Sequence, residues 1–333
     1  MKTAWLLRIS ELAILLALLV VLMGGWTRLN DAGLSCPDWP GCYGELIIPG
    51  STEARAQAQL RFPDQPLHPG RGWIEMTHRY LAGSLGLMIA ALALGGWAHR
   101  QQPGYPFGLG IGLLGLVLLQ ALFGMWTVTL KLLPQVVTLH LLGGLLTLAL
   151  LLRLRQRLGA WTANIQVRPL GIRSALAGGL LLLFVQIALG GWTSANYAGW
   201  SCSHWWQCER DQQVELDFKQ AFELPEAHGG SYLGGHLQRE ARAAIQMSHR
   251  GIGALLGAYL LGLALLLFWR RQHFKALVLL AALAGQVLLG VLNVMHGLPL
   301  GLAMAHHAGA VLLLVLLVWI YGQIGFRREV RHG

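Results

Sequence analysis

Apolar residues run along this chain in eight long stretches, near residues 10–30, 73–98, 107–130, 135–153, 173–193, 242–268, 276–296 and 300–322. Between them lie short charged segments and two longer stretches rich in glycine, proline and tryptophan. About 20 apolar residues cross the hydrocarbon core of a bilayer as a helix. A helix also satisfies its own backbone hydrogen bonds in lipid. None of the stretches alternates with the period of two that a membrane barrel requires. The pattern predicts an all-α integral membrane protein with eight transmembrane helices. The opening run, MKTAWLLRISELAILLALLVVLMGG, is long for the apolar part of a cleaved leader and lacks an A-x-A-like site, so it reads as the first span.

The pattern repeats. GGWTRLNDAGLSCPDWPGC at 24–42 matches GGWTSANYAGWSCSHWWQC at 190–208, an offset of 166. The same offset carries Gln120 to Gln286, Gly124 to Gly290 and His140 to His306. IEMTHR at 74–79 matches IQMSHR at 245–250, at an offset of 171. Each half holds four spans, so both halves share one orientation. Two four-helix bundles related by a pseudo-twofold axis along the membrane normal are expected. Residues 1–152 form the first, 153–172 a cytoplasmic linker and 173–333 the second.

Composition and charge add the orientation. Only 12% of the 333 residues are charged and 55% are hydrophobic, so lipid is the solvent for most of the surface. With the N-terminus inside, the inner segments carry net +12, including Lys2, Arg153, Arg155, Arg168, Arg270, Arg271, Arg327, Arg328 and Arg331, and the outer segments carry net −2. That asymmetry places both termini in the cytoplasm. The basic balance reports topology and contact with anionic lipid. It gives no support for nucleic-acid binding, because no basic stripe interleaved with aromatics is present. Two long outer loops, about 31–72 and 194–241, point function to the outer face.

Polar groups inside a span are costly and point to function. His78, His140, His249 and His306 stand one to two turns below the outer ends of the second, fourth, sixth and eighth spans. Within each half, two imidazoles at similar depth on facing helices can ligate one iron from above and below a porphyrin plane. The plain alternative is a helix–helix hydrogen bond at each histidine. Zinc is disfavoured, since each half offers two histidines and no fixed third ligand. His307 points about 100° away from His306, so His306, in register with His140, is the preferred ligand. Arg79 and Arg250 follow two of the histidines. They would either pair with haem propionates or snorkel to the headgroups. His99, His273 and His332, and the outer His68, His204, His228, His236 and His296, read as solvated or interfacial.

The halves differ at one telling place: Glu75 stands where Gln246 stands. Glu75 shares a helix face with His78. A carboxyl there can accept or relay a proton, which an amide cannot. The alternative is a carboxylate paired with Arg71 or Arg79. Four cysteines form two C-x5-C pairs in the outer loops and read as the disulfides Cys36–Cys42 and Cys202–Cys208. Each could be a staple; Cys36–Cys42, in the half with Glu75, could instead pass electrons by thiol–disulfide exchange.

Taken together, GGWTRLNDAGLSCPDWPGC, EMTHR (75–79), TLH (138–140), QMSHRGIG (246–253) and AHHAGA (305–310) resemble the haem A synthase family over essentially the whole chain. The cysteine pairs are similar to its bacterial form. The resemblance implies a bacterial inner-membrane enzyme that oxidises the C8 methyl of haem O to a formyl group, giving haem A for terminal oxidases. By it, His249 and His306 would hold a resident haem b, and His78 and His140 would face haem O. Glu75 would serve catalysis, with Cys36 and Cys42 in electron transfer. The partners implied are haem O, the farnesyltransferase that makes it (haem O synthase), an electron donor and membrane lipid, with a homo-oligomer left open. The residues alone also admit a dihaem b-type membrane electron carrier or a haem transporter.

Overall fold

The computed structural model describes residues 4–163, 172–205, 207–209, 214–227 and 230–323. Lys2, Arg168, Arg327, Arg328 and Arg331, which count toward the cytoplasmic charge, lie outside the described residues, as do His228 and His332. Eight helices are long and apolar enough to cross a membrane: α1 (Ala4–Leu29), α3 (Pro69–Trp97), α4 (Phe107–Thr129), α5 (Pro134–Thr162), α6 (Arg173–Ala195), α8 (Arg239–Trp269), α9 (His273–Met295) and α10 (Leu300–Gln323). Two short helices, α2 (Thr52–Arg61) and α7 (Phe218–Phe222), sit in the long loops. The described residues contain no strand, and the chain is a multi-pass, all-helical membrane protein as expected.

Local chemistry sets the helix ends. Pro69 and Pro134 open α3 and α5, where a missing N–H costs nothing. The turn after α4 places Lys131 and Leu132 at φ 48° and 65°, and the turn after α9 places Gly297 and Leu298 at 67° and 55°. In both turns an amide reaches back to a carbonyl near the helix end: Leu132 to Thr127 at 2.8 Å and Leu298 to Asn293 at 2.7 Å. These residues correspond at the offset of 166, so the repeat extends to its turns. Neither α2 nor α7 was legible as a span. Each is a polar segment started by a capping side chain, Ser51 accepting from the Ala54 amide at 3.1 Å and Asp217 from the Gln220 amide at 2.9 Å.

α5 continues through Thr162, into the segment read as a linker. Leu154 and Leu158 are one turn apart and buried, so the apolar face persists although arginines interrupt the run. Residues 164–171 of that linker lie outside the described residues.

α1 packs on α3 and α5, and α4 on the same two. α6 packs on α8 and α10, and α9 on the same two. Between these groups α5 touches α6 and α10, and α1 touches α10. The largest cluster of buried apolar side chains runs through all eight long helices, and smaller ones lie under the loops. Outward faces carry Leu12, Leu15, Leu87, Leu94, Leu181 and Leu255, each more than half exposed, as a lipid-facing surface requires. Trp5, Trp97 and Trp269 stand exposed near one end of the bundle and Trp73, Trp200 and Trp205 near the other, as interfacial anchors do.

Candidate functional site

The histidine pair of the first half is brought together. His78 on α3 and His140 on α5 face each other with ring centroids 6.4 Å apart and planes at 89°. In the second half, His249 on α8 and His306 on α10 stand at the corresponding positions, each against a glycine of a neighbouring helix. α3 and α8 begin further out than the apolar pattern suggests. His78 and His249 therefore lie about two and a half turns or more inside their helices, not one to two.

Each imidazole rests on a glycine of a neighbouring helix. A Cβ on Gly24 would lie 3.1 Å from His78, and one on Gly190 would lie 3.3 Å from His249. On the other side, Gly124 backs His140 at 3.5 Å and Gly290 backs His306 at 3.1 Å. These glycines were visible in the repeat, but their role needed the packing. Glutamine amides lie behind the second pair. Gln286 donates to the His306 carbonyl at 3.1 Å, and Gln186 to the His249 carbonyl at 3.0 Å. Gln186 also lies 3.1 Å from His249 Nδ1. Its counterpart in the first half is Val20, so Gln186 has no polar match at the offset of 166 and nothing in the sequence marks it.

The residues fit a porphyrin iron better than a bare ion. Nδ1 of His78, His140 and His306 is buried without a hydrogen-bond partner. Such an atom costs about 1–3 kcal/mol unless a ligand or metal meets that nitrogen. A metal–imidazole bond of about 2 Å on each side, plus half a ring at each end, spans close to the separation found between His78 and His140. Among the described residues no group of three or more His, Cys, Asp or Glu side chains could hold a metal. A porphyrin brings four nitrogens of its own and needs only the two axial imidazoles.

Glu75 is buried one turn outward of His78 and does not face open solvent. One carboxylate oxygen accepts the backbone amides of Ser35 at 2.9 Å and Cys36 at 3.0 Å. The other pairs with Arg79. Arg79 Nη1 in turn donates to the carbonyls of Asp38 at 2.9 Å, Pro40 at 3.2 Å and Gly41 at 2.5 Å. Arg79 thus neither snorkels nor stands free; it clasps the loop closed by the Cys36–Cys42 disulfide, whose Cα atoms are 4.7 Å apart. The structure joins Glu75 to that cysteine loop, a link across about 40 residues that spacing could not reveal.

The second half copies the clasp with different chemistry. Gln246 donates to the Gly199 carbonyl at 2.9 Å and accepts from the Ser201 hydroxyl at 3.1 Å. Arg250 donates to the His204 carbonyl at 2.7 Å and the Trp205 carbonyl at 3.3 Å. The Cys202–Cys208 disulfide closes this loop, with Cα atoms 4.3 Å apart.

Residues at corresponding positions of the repeat also meet each other. Arg28 donates to the carbonyl of Ser194 at 2.5 Å, and the Tyr197 hydroxyl donates to Asp31 at 2.6 Å. Arg28 also bonds Asp31 at 2.9 Å and lies 4.2 Å over the Tyr197 ring. Burial pushes the Tyr197 phenol above its usual range, which keeps it a proton donor here. His307 lies on a different face from His306. Its Nε2 is 3.2 Å from the Val21 carbonyl of α1, and its ring packs on Gly25.

Residues 7–318 match the family described as cytochrome oxidase assembly protein. The chain is 43% identical over 325 residues to a heme A synthase of Shewanella oneidensis, covering 96% of each. It is 30% identical to a heme A synthase of Beijerinckia indica, covering 92% of this chain and 89% of the relative. A heme A synthase of Caulobacter vibrioides is 29% identical, with 89% of each covered.

Proposed function

The chain belongs to the cytochrome oxidase assembly protein family, and from that premise we propose that it is a haem A synthase, oxidising a methyl group of haem O to a formyl group. As a half-reaction, R–CH3 + H2O gives R–CHO with release of four electrons and four protons, which an external electron acceptor must take up, so the site must move both.

The observation that carries this reading is the pair of matched histidine couples with unlike surroundings. His78 and His140 hold the substrate haem O beside Glu75. His249 and His306, backed by Gln186 and Gln286, hold a resident haem b. When bound, that haem supplies one-electron redox chemistry next to the substrate half. Glu75 accepts a proton from the substrate side and is positioned for it by Arg79 and by the Ser35 and Cys36 amides. Cys36–Cys42 provides an electron route, each disulfide–dithiol change carrying two electrons and two protons. Because Glu75 accepts from the Cys36 amide, a change at the disulfide reaches the carboxylate directly.

The helices α1 to α5 (through Thr162, beyond the boundary at 152 that the apolar pattern gives) and α6 to α10 form two bundles about a pseudo-twofold axis. The recurrence of helix neighbours and the meetings of Arg28 with Ser194 and of Asp31 with Tyr197 support this, since self-corresponding positions approach only near such an axis. The basic ends face the cytoplasm, both termini with them, in a bacterial inner membrane, and the cysteine loops lie outside.

The test is to extract and separate the haems of purified wild type and Glu75→Gln from a host that makes haem O. Haem A in the wild type and haem O in the variant are expected. Haem b alone in both, filling both sites, would overturn the reading and leave a dihaem electron carrier.

A further inference from the structure

The two clasps differ in what they leave free. Every terminal nitrogen of Arg79 is engaged, Nη1 by three carbonyls and Nη2 by Glu75. Arg250 uses Nη1 on the loop, but its Nη2 is buried with no hydrogen-bond partner. Gln246, the counterpart of Glu75, cannot neutralise it; its amide is taken by Gly199 and Ser201. Two turns outward on α8, Arg242 also keeps a buried Nε without a partner. Arg242 lines a cavity of ≈ 380 Å³ with Tyr197, Trp200, Ser201 and Arg239, the last paired with Glu209 at the cavity wall. Its counterpart in the first half, Arg71, is exposed. α8 therefore holds two guanidinium groups with buried unsatisfied N–H donors, and α3 holds none at the matching positions.

A buried, unsatisfied guanidinium N–H calls for an anionic acceptor, and carboxylate is the group it fits best. A porphyrin of this kind carries two propionate carboxylates. Resting on the haem placement proposed above, we propose that the Glu75/Gln246 difference sets which half lets its haem go. In the second half Arg250, with Arg242 beyond it, anchors propionate and keeps the haem resident. In the first half Glu75 occupies Arg79, so the porphyrin there has its axial histidines but no arginine anchor. That suits a half whose substrate must enter and whose product must leave. Glu75 acts here as a positioning residue, by withholding Arg79 from the ligand.

The test uses the full chain purified from a host lacking haem O synthase, so that haem b fills both halves and no turnover intervenes. Haem loss to excess apomyoglobin is followed by absorbance, and a His140→Ala variant identifies the phase belonging to the first half. Wild type should lose haem in two phases, the first-half phase faster. Glu75→Gln frees Arg79 and should slow the fast phase roughly tenfold or more, the scale of one charge-assisted hydrogen bond. Gln246→Glu and Arg250→Gln should each speed the slow phase by a similar factor. Arg250→Lys, which keeps a cation for the loop, should fall between. A fast phase unchanged or accelerated in Glu75→Gln overturns the proposal even if the wild type makes haem A. Failure of the wild type to make haem A from haem O, with two phases intact, would instead count against the synthase reading alone.

Discussion

The outer loops of the two halves share one sequence pattern and are gripped by the same two helix positions, yet one grip only accepts and the other both accepts and donates. At position 75 a carboxylate can only accept, so the loop turns the Ser35 and Cys36 amides toward it. At position 246 an amide both donates and accepts, so the loop presents the Gly199 carbonyl and the Ser201 hydroxyl. Replacing an oxygen by an NH2 has left the helices in place and turned one of the two loop donors into an acceptor. It has also decided whether the adjacent arginine is neutralised. Apolar packing sets the shared scaffold, and single polar atoms set the division of labour on it.

The comparison breaks most severely at the histidines. His249→Ala or His306→Ala should halve the haem bound per chain and leave the first half loaded. If total haem were unchanged by haemochrome assay, these side chains would not be ligands. The glycines behind the rings come next. Gly290→Leu forces bulk into the 3.1 Å gap beside His306 and should cost about 1–3 kcal/mol of local packing together with the second-half haem. Gly124→Ala, at 3.5 Å from His140, meets ordinary contact and should retain haem. Equal loss in both variants would show that the rings are not cradled as described.

The disulfides sharpen the comparison further. Both loops are short, so removing either bond should lower stability by about 2–3 kcal/mol at most, read as a fall in Tm. Cys202→Ser with Cys208→Ser should keep haem A formation, whereas Cys36→Ser with Cys42→Ser should lose it because Glu75 shares that loop. Equal activity loss in the two double variants would reduce both pairs to staples. The smallest effect belongs to the contact between halves. Arg28→Ala and Tyr197→Phe should each cost about 1 kcal/mol, with a coupling of about 0.5 kcal/mol in the double-mutant cycle. Strict additivity would mean that the bonds between Arg28, Asp31 and Tyr197 contribute nothing as a group.

Much of this was legible in advance because lipid simplifies the code. Eight apolar runs became eight long helices, and positions recurring at 166 residues recur in helix ends, glycines and histidines alike. Where reading fell short, the cause was physical. α5 outlasts its apolar run because Leu154 and Leu158 stay buried while arginines on its other faces mask the hydropathy. Gln186 carries no sequence signal, because the position 166 residues before it is Val20, and its role at His249 follows only from packing. Arg79 meets one of its expected partners, Glu75, but the loop carbonyls it also binds are about 40 residues away in sequence, which spacing does not reveal.

By itself, then, the sequence determined which segments are apolar enough to cross the membrane, which segments match each other at an offset of 166, and which four imidazoles stand in matched positions. Each of these follows from local composition or from comparison of the chain with itself. Only the tertiary structure decided that Glu75 and the Cys36–Cys42 loop are one unit, that His307 serves the α1 contact, and that Arg250 retains a free buried donor where Arg79 does not. Those outcomes depend on hydrogen-bond pairing between distant segments. A residue type states how many protons it can give or take, but only the fold states who is near enough to receive them.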